Sequence, residues 1–166
     1  LVLAGPVVAS EEAMQRGEQA YRAGDVAGAA REFESALQNF RATLGEQHPA
    51  THEAMSDLAS MYGDLGRHAE RLALNERVLQ LRLQVLGERH PDTLLSLNNL
   101  ASTYGALGRF AEQAALDERA LRLSIEVLGE RHPDTITSMN NLAAASAAAG
   151  LDGRQLELIE RVWWLR

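Results

Sequence analysis

Three histidines recur along the chain at a fixed spacing, and their side chains are the first candidates for chemistry. His48, His90 and His132 each precede a proline and lie 42 residues apart. A neutral imidazole can bind a metal or act as a general acid or base. Equivalent residues of stacked repeats are too far from each other to share one metal, because each repeat contacts only its neighbours. We therefore expect each histidine to make a local contact where a helix begins.

A metal site built from His48, His52 and Glu53 is the second candidate. In a zincin helix a second histidine follows the first by four residues, and position 56 of this chain is a serine. His52 also lies at the repeat position that Leu94 and Ile136 occupy, which is an ordinary helix position. We expect no metal here.

Acidic side chains show no pattern typical of an enzyme. Glutamates recur with the repeat, at Glu34, Glu76, Glu118 and Glu160. Recurrence indicates a structural or solvent-facing role rather than one acid–base pair. The chain has no cysteine and no lysine, which excludes thiolate catalysis, cysteine-bound metals and Schiff-base chemistry. It also has no glycine-rich phosphate loop or nucleophile elbow. We predict that the protein is not an enzyme and needs no cofactor.

The composition fits one globular domain and argues against two classes of partner. The 166 residues are 46% apolar and carry a net charge of −7. Nucleic-acid binding and charge-driven attachment to anionic lipid both require a basic surface. No stretch reaches the roughly 20 apolar residues needed to cross a bilayer. We therefore expect neither nucleic acid nor a membrane among the partners.

The first ten residues form a separate apolar segment. Residues 1–10 lack an initiator methionine and precede a polar helix. They resemble the end of a secretion signal, with Val7 and Ala9 before the cleavage point, and a fragment boundary is the alternative explanation. The compartment is therefore cytoplasmic or, if residues 1–10 are a signal remnant, exported or periplasmic.

The rest of the chain repeats itself with a period of 42 residues. The sequence Leu-Gly-Glu-Arg-His-Pro-Asp-Thr at 86–93 returns unchanged at 128–135 and with two substitutions at 44–51. Asn-Asn-Leu-Ala at 98–101 returns at 140–143. Such a register indicates a repeat architecture. Glycines that recur at the same position of the period mark four repeats, with approximate bounds 11–43, 50–86, 92–128 and 134–166.

Each repeat is predicted to form two helices. Between Thr93 and Leu107, apolar residues recur at spacings of three and four, which is typical of one buried helix face. Gly108 follows, where a left-handed residue ends a helix. A second helix is predicted from about Phe110 to Leu128, and prolines suit the first turn of the helices that follow. Because one hairpin cannot cover its own apolar face, eight helices should stack as four hairpins into a solenoid.

The repeats resemble the tetratricopeptide repeat (TPR) family. Repeat one matches the ordinary form through Gly17, Ala20–Tyr21, Gly24–Asp25, Ala29, Phe33 and Ala36–Leu37. The later repeats are similar to the 42-residue form of kinesin light chains, through their His-Pro-Asp-Thr and Asn-Asn-Leu-Ala sequences. One aromatic position in the second helix of the repeat, where repeat one has Phe33, departs from the pattern in the next two repeats. These repeats carry Asn75 and Asp117 there. The resemblance implies a right-handed α–α solenoid that forms a single domain over residues 11–166.

The same resemblance places the first helix of each hairpin on a concave groove. Helical phase then selects the side chains that face away from the core, and the candidate peptide-binding residues are Asn98, Asn99, Ser102, Asn140, Asn141, Glu53, Asp57 and Ser60. An asparagine amide both donates and accepts hydrogen bonds, so it can pair with a peptide backbone of any sequence. The resemblance implies main-chain contact for the second asparagine of each pair, and solvation of the helix face is the alternative. Glu18 and Asp64 add to the acidity of the groove near its N-terminal end, which favours a basic partner segment.

The sequence therefore predicts a scaffold that holds a peptide or partner protein in its groove. The alternative is a structural or self-association module, or the sensor arm of a larger bacterial signalling protein. In the C-terminal helix Trp163 occupies a core position, whereas Trp164 occupies an outward one. An outward tryptophan favours further repeats or self-association through this helix.

Overall fold

A computed structural model describes residues 4–150 and residue 153. The described part is all-α, as predicted, and contains seven helices: α1 (Ala4–Arg22), α2 (Val26–Thr43), α3 (Pro49–Asp64), α4 (His68–Val85), α5 (Pro91–Ala106), α6 (Phe110–Leu128) and α7 (Pro133–Ala148). The eighth predicted helix, with Trp163 and Trp164, lies outside the described residues. None of these seven helices is long and apolar enough to cross a membrane.

The chain divides into two compact units, Leu1–Val85 and Leu86–Arg166. In the first unit α2 packs against α1 and α3, and α3 packs against α4. In the second unit α6 packs against both α5 and α7. Each helix thus packs mainly on its sequence neighbours, which is how a repeat array buries its apolar faces.

The recurring histidines cap helices, which confirms the expected local role. The Nδ1 atoms of His48, His90 and His132 accept hydrogen bonds from the backbone N–H two residues later, at 3.2, 3.1 and 3.2 Å. Each following proline occupies the first turn of its helix, where a backbone N–H would have no helical partner. The histidine–proline pairs therefore fix where α3, α5 and α7 begin.

In two of its three copies the rest of the recurring motif ties the turn to the helix after it, whereas Oγ1 of Thr135 in the third copy has no hydrogen-bond partner. The hydroxyl groups of Thr51 and Thr93 donate to the carbonyl oxygens of Gly45 and Gly87, each at 2.8 Å. These glycines have φ of +85° and +83°, a left-handed conformation that favours glycine. The repeated motif is thus explained as structure, which leaves the helix faces to carry function.

The predicted apolar face of α5 is largely buried. Leu94, Leu97 and Leu100 are in the core. Leu107 and Leu128, which the periodicity also placed in the buried faces, are each 37% exposed. Leu107 is the C-cap residue of α5, and Leu128 is the last residue of α6.

A single side-chain hydrogen bond caps the N-terminus of α2, and its removal should lower the stability of the protein. The side chain of Asp25 accepts from the backbone N–H of Gly28 at 2.7 Å. We expect Asp25→Ala to lower the free energy of unfolding by about 1 kcal/mol, because the helix start loses its cap. Urea unfolding checks this value, and Asp25→Ser should retain most of the stability because serine is also a good cap. An equal loss in both variants would contradict the capping role.

Candidate functional site

Three of the predicted groove residues in the second unit line one cavity. Asn98 and Ser102 come from α5 and Asn141 from α7, and the cavity has a volume of about 450 Å³. Residues of α6 complete its lining, namely Phe110, Gln113 and Asp117. The predicted residues Asn99, which is half-buried, and Asn140, which is exposed, are not part of this lining.

Two buried oxygen atoms in this lining have no hydrogen-bond partner. They are Oδ1 of Asn98 and Oδ2 of Asp117. Asp117 is only 2% exposed. Burial raises the pKa of this carboxyl to about 6, and a hydrogen bond from the Gln113 side chain acts in the opposite direction. The cavity therefore contains a carboxyl group whose charged form is poorly stabilised by its surroundings.

The predicted groove residues of the first unit also converge. Glu53, Asp57 and Ser60 of α3 line a cavity of about 370 Å³ together with Glu18 of α1 and Phe33 of α2. Ser60 and Glu53 are exposed, whereas Asp57 is half-buried. Arg22 also lines this cavity and forms a salt bridge with Glu18 at 3.3 Å, so one cation already lies among the three carboxylates, and Asp64 is not part of the lining.

Asp57 is electrostatically strained in this cluster. Burial first, and then the charges of Glu53 and Glu18, raise the pKa of Asp57 to about 6, while Arg82 acts against them. Like charges that raise a carboxyl pKa also raise the free energy of the ionised state. A cationic group bound among these carboxylates would relieve that repulsion.

The two cavities are equivalent positions of the repeat. In the second unit Ser102 takes the place of Glu18, Asn141 that of Asp57, and Asp117 that of Phe33, each at a distance of 84 residues along the sequence. Each cavity is formed by the first helix of one hairpin, its second helix, and the first helix of the next hairpin. The repeat therefore builds one kind of cavity and varies its chemistry.

Sequence reasoning missed the contribution of the second helix to both cavities. It assigned the groove to first helices alone, whereas Phe33 belongs to α2 and Asp117 to α6. The available signal was the polar residue at an aromatic position, Asn75 and Asp117 in place of Phe33. Both polar residues are buried, at 4% and 2% exposure.

An apolar cleft adjoins the polar cavity in the second unit. Leu94, Leu95 and Leu128 line it with Thr137, and its volume is about 310 Å³. Leu95 is 51% exposed, and Asn98 lines both the cleft and the polar cavity. An apolar side chain and a polar side chain can therefore be accommodated next to each other.

The metal hypothesis gains no support from the described residues. No group of three or more potential metal-ligating side chains occurs among them. His52 is buried, and burial, together with the charge of Arg82, lowers the pKa of its imidazole. Its ring makes a hydrogen bond to the backbone of Glu46, which is a local packing role.

Two family models match the repeats. One tetratricopeptide repeat model matches residues 52–112, and a second tetratricopeptide repeat model matches residues 93–134. The chain is a tetratricopeptide repeat protein. Its repeats are kinesin-light-chain-like, as the sequence predicted. Tetratricopeptide repeats indicate a protein–protein interaction scaffold, and the fold is typical of proteins without catalytic activity.

Solved structures of tetratricopeptide repeat proteins share this fold. The kinesin-light-chain-like repeat protein of Podosopora anserina is 27% identical, with a TM-score of 0.84 over 94% of this chain and 74% of that one. BtubC (BKLC) of P. vanneervenii is 21% identical, with a TM-score of 0.88 over 97% of this chain and 64% of that one. These likenesses confirm the predicted all-α solenoid fold class. No curated protein sequence gives a significant match.

Proposed function

We propose that this tetratricopeptide repeat protein binds a peptide or an extended segment of a partner protein at the cavities of its first-helix faces. The main support is that side chains selected from the sequence, by the family resemblance and helical phase, line a cavity in each unit. Glu53, Asp57 and Ser60 meet in the first unit, and Asn98, Ser102 and Asn141 meet in the second.

Asparagine side chains supply the contacts that need no particular peptide sequence. Asn141 is exposed in its cavity and offers both a donor and an acceptor to a peptide bond. Asn99 occupies the same position of the preceding repeat, 42 residues earlier, and is half-buried. Such amide contacts hold the main chain, and the neighbouring cavities then read its side chains.

The charge of the first unit favours a basic partner segment. Three carboxylates, Glu18, Glu53 and Asp57, and one cation, Arg22, line one cavity, which leaves it with an excess of negative charge, and the whole chain has a net charge of −7. Complementary charge raises the association rate and selects partners, and salt weakens exposed charge pairs. We therefore expect binding to weaken as the salt concentration rises.

The test is selection of binding peptides from a displayed random library by the full chain. We expect the selected peptides to be enriched in basic residues and to bind the variant Asn99→Ala plus Asn141→Ala about tenfold or more weakly, because two hydrogen bonds are lost. Isothermal titration calorimetry measures the change. The matched control, Gln47→Ala plus Gln84→Ala, removes two exposed amides that line neither cavity.

Two outcomes would contradict the proposal. Equal peptide affinity in wild type and the double asparagine variant would remove the asparagines from the contact surface. Failure to select any peptide, together with a concentration-dependent oligomer in light scattering, would favour the self-association alternative.

A further inference from the structure

The second unit contains a buried carboxylate that the packing of the protein does not satisfy. We propose that the cavity lined by Asp117 binds a basic side chain, the guanidinium of an arginine or the ammonium of a lysine, from the bound polypeptide. This inference rests on the proposed function and specifies one side chain of the ligand. Asp117 lies on α6, the second helix of its hairpin, whereas the asparagines proposed to contact the peptide main chain lie on first helices.

The first step is the shortage of donors. Buried polar atoms in native proteins are nearly always hydrogen-bonded. Asp117 receives a hydrogen bond from Gln113, yet its Oδ2 has no partner, and neither has Oδ1 of Asn98. Both residues line one cavity, so a group that enters it is in a position to supply the missing donors.

The second step is the charge of the missing group. The other described lining residues, Asn98, Ser102, Gly105, Phe110, Gln113 and Asn141, include no basic side chain. A buried carboxylate without a cation is costly, so a cationic occupant is favoured over a neutral one. An ammonium offers three donors and a guanidinium five, which suits several acceptors in one cavity.

The third step is the fit. The cavity, at about 450 Å³, is far larger than the roughly 30 Å³ of a single water and has room for a long side chain. Phe110 lines it and is 37% exposed, so its ring is accessible to a cation or to the aliphatic part of the side chain that carries it.

The fourth step is the comparison between repeats. Asn75 occupies the same repeat position as Asp117 and is also buried, at 4% exposure. Helix packing at this position is therefore compatible with an uncharged amide of the same shape. A carboxylate here adds a charge that packing does not require, and the proposed ligand gives that charge a role.

The test uses methylguanidinium chloride as the probe and methylurea as its neutral counterpart, with the full chain in solution. We expect methylguanidinium to shift the side-chain amide signals of Asn98, Gln113 and Asn141 saturably in ¹⁵N NMR spectra, with a dissociation constant in the millimolar range. Methylurea should give at least tenfold weaker shifts. Asp117→Asn should abolish the response, and it should fold because Asn75 is accommodated at this position.

The control variant is Glu118→Gln, which makes the same charge change at an exposed position of α6 outside the lining. It should keep the response to methylguanidinium. Binding should also weaken on acidification below about pH 6, because Asp117 is the one titratable group among the described lining residues. Propylammonium chloride, used as a second probe, separates a lysine-like from an arginine-like ligand.

The outcomes separate this inference from the proposed function. If methylguanidinium gives no saturable shift, or if the shift persists in Asp117→Asn, the cation cavity is wrong even when displayed peptides still bind. If the cavity binds the cation but no peptide is selected, the cavity stands and the peptide-binding function fails.

Discussion

Replacing Asp117 with asparagine is expected to raise the free energy of unfolding by about 2–3 kcal/mol at pH 7.5. The pKa of this carboxyl is raised from 3.8 to about 6 in the folded protein, chiefly by burial. Above pH 6 the folded state must therefore hold a charge that the unfolded state solvates better. Asparagine keeps the shape and removes that charge.

The sign of the effect defines its pH window. A carboxyl whose folded pKa is raised destabilises the protein above that pKa, and the penalty disappears as the pH falls toward the unfolded value. The difference in stability between Asp117→Asn and wild type should therefore be full near pH 7.5 and fall to near zero around pH 4. Asp57, whose pKa is also raised to about 6, is present in both proteins and cancels in the difference.

Urea unfolding of both proteins between pH 4 and 8 measures this difference. Glu118→Gln serves as the control, because it removes one carboxylate at an exposed position of the same helix. A stability difference that stays constant with pH would show that burial of the Asp117 charge is not its cause. Both proteins must be measured without guanidinium salts, since the proposed ligand would stabilise only the wild type.

A gain in stability together with a loss of cation binding would identify Asp117 as a residue kept for function. Replacing a residue that serves packing lowers the stability of the protein. Functional sites, in contrast, often contain strained groups, and replacing such a group raises the stability of the protein. Asn75 shows the uncharged solution to the same packing problem within the same chain. The two repeats are therefore an internal comparison between a structural and a binding version of one position.

The sequence predicted the fold well because its signals are local. The 42-residue period, the glycines with positive φ and the histidine–proline starts each act within a few residues of the backbone. Exposure at helix ends was not predictable in this way. Leu107 and Leu128 have the correct period for burial, but they lie at helix ends and are each 37% exposed, and periodicity within one helix does not show which of its ends is covered by the rest of the fold.

The candidate site was predicted only in part, because the sequence pattern describes single helices and not the contacts between them. Helical phase predicted faces of α5 and α7 from which Asn98 and Asn141 line one cavity, because phase is a property of one helix. Asp117 was missed as a site residue because its role depends on three helices meeting. A polar residue at a core position was visible in the sequence, whereas the cavity beside it and its unpartnered oxygen were not.

The second large effect concerns a close approach in the first hairpin. A methyl group added at Gly17 would lie 2.6 Å from Cε1 of Phe33, and two further ring atoms would be within 3 Å. The ring is 3% exposed and cannot move away easily. We expect Gly17→Ala to lower the free energy of unfolding by about 1–2 kcal/mol, because overpacking outweighs the helix propensity gained. Phe33→Ala should cost about 3–5 kcal/mol.

The decisive result is a change of sign in the double variant, measured by urea unfolding. Once the ring is removed, Gly17→Ala should stabilise Phe33→Ala by about 1 kcal/mol, because the methyl fills space and alanine favours the helix. The equivalent positions carry alanine opposite Asn75 and Asp117, and Ala59→Gly and Ala101→Gly should each destabilise by about 1 kcal/mol. The same sign for Gly17→Ala in both backgrounds would contradict the contact. The expected pattern would show that glycine is required at this repeat position where the aromatic residue is kept, and not where asparagine or aspartate replaces it.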